Sequence, residues 1–200
     1  MNMCTRSSTK IKKILVVHPY DESTLQLERV YSGKSCDILH RRDLGWEDVY
    51  NALIEGQYDR VFLLGHGIPH GLCNMKTGEI VFDRLMYEKC IRGTDTEIVA
   101  IWCNADEFFK NIDNPNPHFC TGMFISEPSE AKAYMIEESV EKINEQFKLF
   151  SDLLSDIFDS PIENYSNYLN EHYTGDSPVI KFNREEMLFD RQNKIASYRM

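Results

Sequence analysis

Arg60-Val61-Phe62-Leu63-Leu64-Gly65-His66-Gly67 is the stretch on which the fold turns. Four apolar residues follow Arg60 with no helical period, and Gly65 stops them. A short unbroken apolar run of this kind suits a strand covered on both faces, as in a parallel sheet. His66 then stands just past the carboxyl end of a buried strand. The pattern recurs at residues 97–103, Glu-Ile-Val-Ala-Ile-Trp-Cys, which puts Cys103 in the equivalent place. Between the two runs, residues 72–75 and 79–82 flank Lys76-Thr77-Gly78 and read as a hairpin, with Gly78 supplying the positive φ of the turn. Residues 83–92 read as a helix. That connection suits a right-handed crossover between adjacent parallel strands.

Working outward, residues 12–18 read as the first strand, ended by Pro19, and residues 23–31 as a helix with Ser23 as N-cap and Gly33 as its stop. A strand follows at 36–40. Residues 46–55 carry Trp46, Val49, Tyr50, Leu53 and Ile54 on one helical face. Beyond Cys103 the expected elements are a helix at 106–112, a proline-broken loop at 113–118, a fifth strand at 123–126 and a long helix capped by Ser129 that runs to 158, with room for a break. The last forty residues suggest a helix at 162–172 and a strand at 179–182. The expected architecture is α/β: one domain over residues 11–200, a three-layer sandwich of a mostly parallel sheet with helices on both faces. Residues 1–10 are expected to be a flexible N-terminus, and 160–200 a C-terminal extension of that domain.

Composition narrows the function classes. The net charge of −10 argues against general nucleic-acid binding and against electrostatic attachment to anionic membranes. No apolar stretch approaches the roughly 18 residues of a membrane span. The start of the chain is polar and basic, and the apolar run at Ile14 to Val17 is too short for a signal-peptide core. A cytoplasmic location is therefore expected, with most of the six cysteines as free thiols. No paired Cys spacing and no HExxH is present, so neither a metal nor a cofactor is expected. Gly-rich phosphate loops are also missing, which weakens a nucleotide-sensor reading.

A thiol and an imidazole at the carboxyl ends of neighbouring strands face the crevice where open α/β sheets carry their sites. The imidazole can take the thiol proton, the thiolate attacks a carbonyl, and the imidazole returns the proton to the leaving amine. Backbone amides of Gly67 and Cys103 are the expected oxyanion donors. His70 is a rival base in the same loop, with His66 preferred because it directly follows the strand.

The two runs, VFLLGHG and IVAIWCNA, resemble the signatures of the caspase-like (clan CD) cysteine peptidases. That group includes caspases, metacaspases, clostripain, gingipains, separases and CHAT domains. The intervening hairpin and helix are similar to theirs as well, over residues 12–134. The resemblance implies a caspase-like fold and an endopeptidase whose catalytic dyad is His66 and Cys103, with CHAT and clostripain-like members nearest in flavour. It also implies a protein or peptide substrate. The caspase motif Q-A-C-[RQG]-G is absent, and the 37 residues from His66 to Cys103 are fewer than the roughly 50 of caspases. Ile101 stands where metacaspase-like members carry an acid.

Candidates for the substrate pocket are His18, Asp21 and Glu22 after the first strand, Ile101 before the nucleophile, and Ser126 and Glu127 after the fifth. Solvated loops and helix capping are the plainer roles for these residues. Acidic residues of the first group would favour a basic side chain before the scissile bond. Asp106 and Glu107 suit the first turn of a helix, and Cys73 and Cys120 suit a structural role. A catalytically silent caspase-like module that binds a partner or signal, and an acyltransferase using the same dyad, stay open. Any regulator of a chain this short is expected to be a separate protein.

Overall fold

The computed structural model describes residues 12–113 and 115–187. In it both apolar runs are strands with every residue from position 61 to 64 and from 98 to 101 buried. Five strands form one sheet: β1 (Ile14–Val17), β2 (Asp37–Leu39), β3 (Arg60–Leu64), β7 (Glu97–Ile101) and β8 (His118–Cys120). Their order is β2-β1-β3-β7-β8, and every pair is parallel. Between β3 and β7 lies a small antiparallel sheet of β4 (Gly67–Ile68), β5 (Gly71–Asn74) and β6 (Glu79–Asp83). The expected hairpin is therefore present.

Alternate side chains along each strand leave the sheet on opposite sides, and both sides are covered. Ile14, Val16, Phe62, Leu64, Val99, Ile101 and Phe119 join one apolar cluster. It is covered by α1 (Glu28–Tyr31), α6 (Val140–Asp156), α7 (Tyr165–His172) and α8 (Pro178–Glu186). Leu15, Val17, Val61, Leu63, Ile98 and Ala100 join a second. There the cover is α2 (Trp46–Gly56), the hairpin, α3 (Arg84–Cys90) and α4 (Ala105–Lys110). Each large aliphatic side chain so buried contributes about 1.5–3 kcal/mol, so three layers are the stable solution for strands that are apolar on both faces.

Several local expectations are corrected. Residues 123–126 are not a strand; the fifth strand is β8, whose backbone pairs with β7 from Ile98↔His118 to Ala100↔Cys120. Within that segment Phe124 and Ile125 are buried by packing instead. The single long helix is two, α5 (Pro128–Ala133) and α6, and Ser139 caps the second by accepting from the Lys142 amide. The helix expected at 23–31 begins as a 3-10 turn over Glu22–Leu27 before α1. The strand expected at 179–182 is helical α8, whose Val179, Ile180 and Asn183 are buried at helical spacing. Of the C-terminal extension, residues 160–187 pack onto the main core rather than forming a separate unit. The flexible segment expected at 1–10 and the remainder of the extension lie outside the described residues.

Arg60 opens β3 and is fully buried. Its Nε donates to Glu97 Oε2 at 2.7 Å, one Nη to Tyr165 Oη at 3.1 Å and the Phe158 carbonyl, and the other to the Ser160 carbonyl at 2.6 Å and to Glu97. Lys12 Nζ also reaches Glu97 Oε2, at 2.8 Å. A buried guanidinium is tolerated only with its donors paired. We expect Glu97→Ala to destabilise the fold by about 3–5 kcal/mol, because it strands that charge. Asp152→Ala, which removes the exposed partner of Arg29, should leave the midpoint of urea unfolding nearly unchanged. Equal midpoints for the two variants would contradict this account of Arg60.

Candidate functional site

The chain passes from β1 outward to β2, then back across β1 to β3, so the sheet reverses direction between β1 and β3. Crevices for ligands form outside the carboxyl ends of strands at such a reversal. The loops after β1, β3 and β7 meet there. They line a small cleft with Thr24, Leu27, Gly65, His66, Ile101, Trp102, Cys103, Phe124, Ser126 and Phe147. It encloses about 20 Å³, room for a single water.

Two glycines and a tryptophan fix the His66 loop. Gly65 takes φ +132°, a conformation that side chains rarely adopt, and its amide donates to the Ile101 carbonyl at 3.0 Å. A Cβ on Gly67 would lie 2.1 Å from Trp102 Cδ1, so only glycine fits against that indole. Trp102 is buried, and its Nε1 donates to the Ile68 carbonyl at 3.2 Å. The residue between Ile101 and Cys103 thus clamps the loop after His66 to the end of β7. Beyond Cys103, Asn104 sits in the left-handed region at φ 66° and leads into α4. Non-glycine residues held there gather at functional sites.

His66 Nε2 lies 2.7 Å from Ser23 Oγ, and 3.6 Å from both Asp21 Oδ1 and Glu127 Oε1. Ser23 in turn gives its amide, at 3.0 Å, and its hydroxyl, at 2.6 Å, to Asp21 Oδ1. The Cys103 thiol faces elsewhere. It donates to the Phe124 carbonyl at 3.6 Å and to Glu130 Oε1 at 3.7 Å. The other Glu130 oxygen caps α5, accepting from the amides of Ser126 and Glu127 at 2.7 and 3.0 Å. Burial, and next the Glu130 carboxylate, push the thiol up to about 12. In this arrangement the thiol is a donor held at rest, not a thiolate.

The expected site residues divide accordingly. His66, Cys103, Ile101 and Ser126 share the cleft, and Asp21 and Glu127 reach it through His66. Glu22 does not: its side chain is exposed and its nearest cation is Arg42 at 3.8 Å. His18 is also a correction. It is fully buried, with Nδ1 2.9 Å from Tyr31 Oη and Nε2 3.1 Å from Thr24 Oγ1, so it belongs to the core beneath the cleft. Burial, then the neighbouring imidazoles of His40 and His66, lower its pKa to about 3. Gly67 starts β4, opposite Leu72. His70, the rival base, is exposed and outside the cleft lining. Asp106 and Glu107 occupy the first turn of α4, and Cys120 is buried, as their structural readings expected.

Sequence reasoning missed Ser23, Trp102, Phe124 and Glu130 as parts of the site. Ser23 is not the N-cap; Asp21 is. The Glu127-Pro128-Ser129-Glu130 spacing, with proline at the first helical position, signals a capping box that starts α5 at Glu127 rather than Ser129. Nothing in the sequence marks the contact of Glu130 with the thiol. Among the described residues no group of three or more His, Cys, Asp or Glu side chains could hold a metal ion, and no helix is long and apolar enough to cross a membrane.

No protein-family model matches the chain, and no curated protein matches its sequence. Two outcomes are expected from the geometry of the site. Because the folded state lowers the pKa of His18, its stabilising effect is complete above the ordinary value of 6.5 and is lost as pH falls towards about 3. A His18→Gln variant should therefore lose less stability than the parent between those values when unfolding is followed by urea titration. Separately, the rate of Cys103 alkylation by iodoacetamide should rise only at strongly alkaline pH, and Glu130→Gln should bring that rise to lower pH by removing the adjacent negative charge. An unchanged profile in Glu130→Gln would remove Glu130 as a cause.

Proposed function

We propose that the chain is a caspase-like cysteine peptidase working through His66 and Cys103. One observation carries the reading: both residues stand two positions past the carboxyl ends of paired parallel strands, in register Leu64↔Ile101, and both line one cleft. Imidazole and thiol on adjacent strand ends are the parts required for thiolate attack on a carbonyl and for protonation of the leaving amine. The amides of Gly67 and Cys103 are assigned to the oxyanion. In the working state the thiol turns from Glu130 and the Phe124 carbonyl towards His66. One Glu130 oxygen meets the thiol and the other caps the start of α5, so release of Cys103 is coupled to the start of that helix. A separate regulatory protein is the agent this reading assigns to that step.

The substrate is a protein or peptide, with a basic side chain before the scissile bond. Asp21 and Glu127, each 3.6 Å from His66 Nε2, are the carboxylates this reading assigns to that side chain. The reading places the enzyme in the cytoplasm, where free thiols persist, acting without nucleic acid, membrane, metal or cofactor.

A second reading has its own support. A thiol pushed up to about 12 and held by two acceptors suits a catalytically silent module of the same fold that binds a protein partner or signal.

Cleavage of a peptide library separates the two. On the peptidase reading, Cys103→Ala and His66→Ala each abolish hydrolysis while retaining the circular dichroism and unfolding midpoint of the parent, since nucleophile and base act as a unit. His70→Ala retains most activity, a chelator has no effect, and fluorogenic substrates with arginine or lysine before the scissile bond are preferred. Hydrolysis surviving in Cys103→Ala would end the assignment, and its complete absence from the parent would favour the silent module.

A further inference from the structure

Every contact described for the His66 ring is made through Nε2. The groups around that nitrogen are Ser23 Oγ at 2.7 Å, Asp21 Oδ1 at 3.6 Å from the β1 loop, and Glu127 Oε1 at 3.6 Å from the start of α5. Two of the three are carboxylates, which only accept. The third is a hydroxyl whose single proton is already given to Asp21 Oδ1 at 2.6 Å. Partial burial opposes the Asp21 charge, but the hydrogen bonds from Ser23 and the nearby imidazole outweigh it and hold this carboxyl below its ordinary range. Asp21 is therefore an ionised acceptor at neutral pH, and Ser23 Oγ has only lone pairs left for the imidazole. Nε2 must then carry a proton, and the neutral ring keeps its basic lone pair on Nδ1.

The Asp21 turn does not need this arrangement. The cap at the start of the 3-10 segment is complete with the Ser23 amide on Asp21 Oδ1. A hydroxyl bridging from that turn to a ring 43 residues away is an addition to the cap. Nor does Ser23 suit the role of a rival nucleophile. In a hydroxyl nucleophile the proton points at the imidazole and a carboxylate holds the opposite ring nitrogen; here the proton points at Asp21, and both carboxylates sit on the same nitrogen as Ser23.

We propose that Ser23, itself held by Asp21, is the positioning residue of His66: it fixes the Nε2–H tautomer and so reserves Nδ1 as the base for the Cys103 thiol. The proposal rests on the dyad reading for its catalytic use, but the tautomer can be read without any turnover. The relay runs in one direction, from imidazole N–H to hydroxyl to carboxylate. No bond other than hydrogen bonds changes along it, and the proton taken from the thiol goes to Nδ1.

Nitrogen-proton correlation spectra of the protein labelled in its histidines test it, with the His66 signals assigned by their loss in His66→Gln. In its neutral form the parent's His66 should carry the proton on Nε2. Ser23→Ala and Asp21→Ala should each let the Nδ1–H form appear, and Ser23→Thr, which keeps the hydroxyl, should restore the parent spectrum. In the hydrolysis assay Ser23→Ala should lower kcat by on the order of tenfold to a hundredfold, part of what a correctly placed base supplies, with KM changed by less than about twofold and recovery in Ser23→Thr. A Ser23→Ala spectrum identical to the parent's overturns the positioning role even where peptides are cleaved. A parent that cleaves nothing, yet shows the tautomer change in Ser23→Ala, defeats the peptidase reading and supports the positioning role.

Discussion

The parallel pairing of β3 with β7 is the constraint from which the rest of the molecule follows. Arg60↔Glu97 opens the pair and Leu64↔Ile101 closes it, so a salt bridge stands at one end of the two strands and the candidate dyad at the other. Because the strands run side by side in register, whatever follows Leu64 and whatever follows Ile101 must emerge together. The Gly65 amide extends the ladder by one bond onto the Ile101 carbonyl. His66 and Cys103 are then brought to one edge by backbone geometry alone, before any side chain is considered.

What happens at that edge is decided by elements that arrive from elsewhere. The β1 loop brings Asp21 and Ser23 to the imidazole. The stretch between β8 and α5 brings Phe124 to the thiol, and the first turn of α5 brings Glu130. Each half of the candidate dyad is thus held by a different neighbour, and the two neighbours have opposite chemical effects. Acceptors around Nε2 leave the lone pair of the neutral imidazole on Nδ1. Burial, and next the Glu130 carboxylate, keep the thiol protonated. Imidazole and thiol are thus separately held, and Glu130 is used twice, one oxygen capping α5 and the other on the thiol, which ties Cys103 to the start of that helix.

Arg60 shows how the same sheet carries its own burden. A fully buried guanidinium inside an apolar layer is costly unless every donor finds a partner. Here Glu97, two backbone carbonyls and Tyr165 supply them. Those carbonyls belong to residues 158 and 160, so the C-terminal helices are fastened to the sheet by a polar contact as well as by the apolar face that α6, α7 and α8 lay over it.

The sequence by itself determined four of the five strands of the main sheet, the three layers, the hairpin and the two strand ends that carry His66 and Cys103, because these depend on runs of apolar residues a few positions long and on glycine. Period and punctuation are local properties, and they are legible without the fold. They misled at 123–126 and 179–182, where a short apolar run suits a strand or a buried helix equally and tertiary packing makes the choice. Only the tertiary structure decided that His18 is core, that Glu22 faces solvent, that Ser23 serves His66 rather than a helix end, and that Glu130 lies on the thiol. Each of those is a meeting of segments far apart in the chain. Residue type gives the chemistry on offer at such a meeting, and the packing of α1 and α6 against the sheet, with α5 on α6 and α8, settles which side chains come within reach.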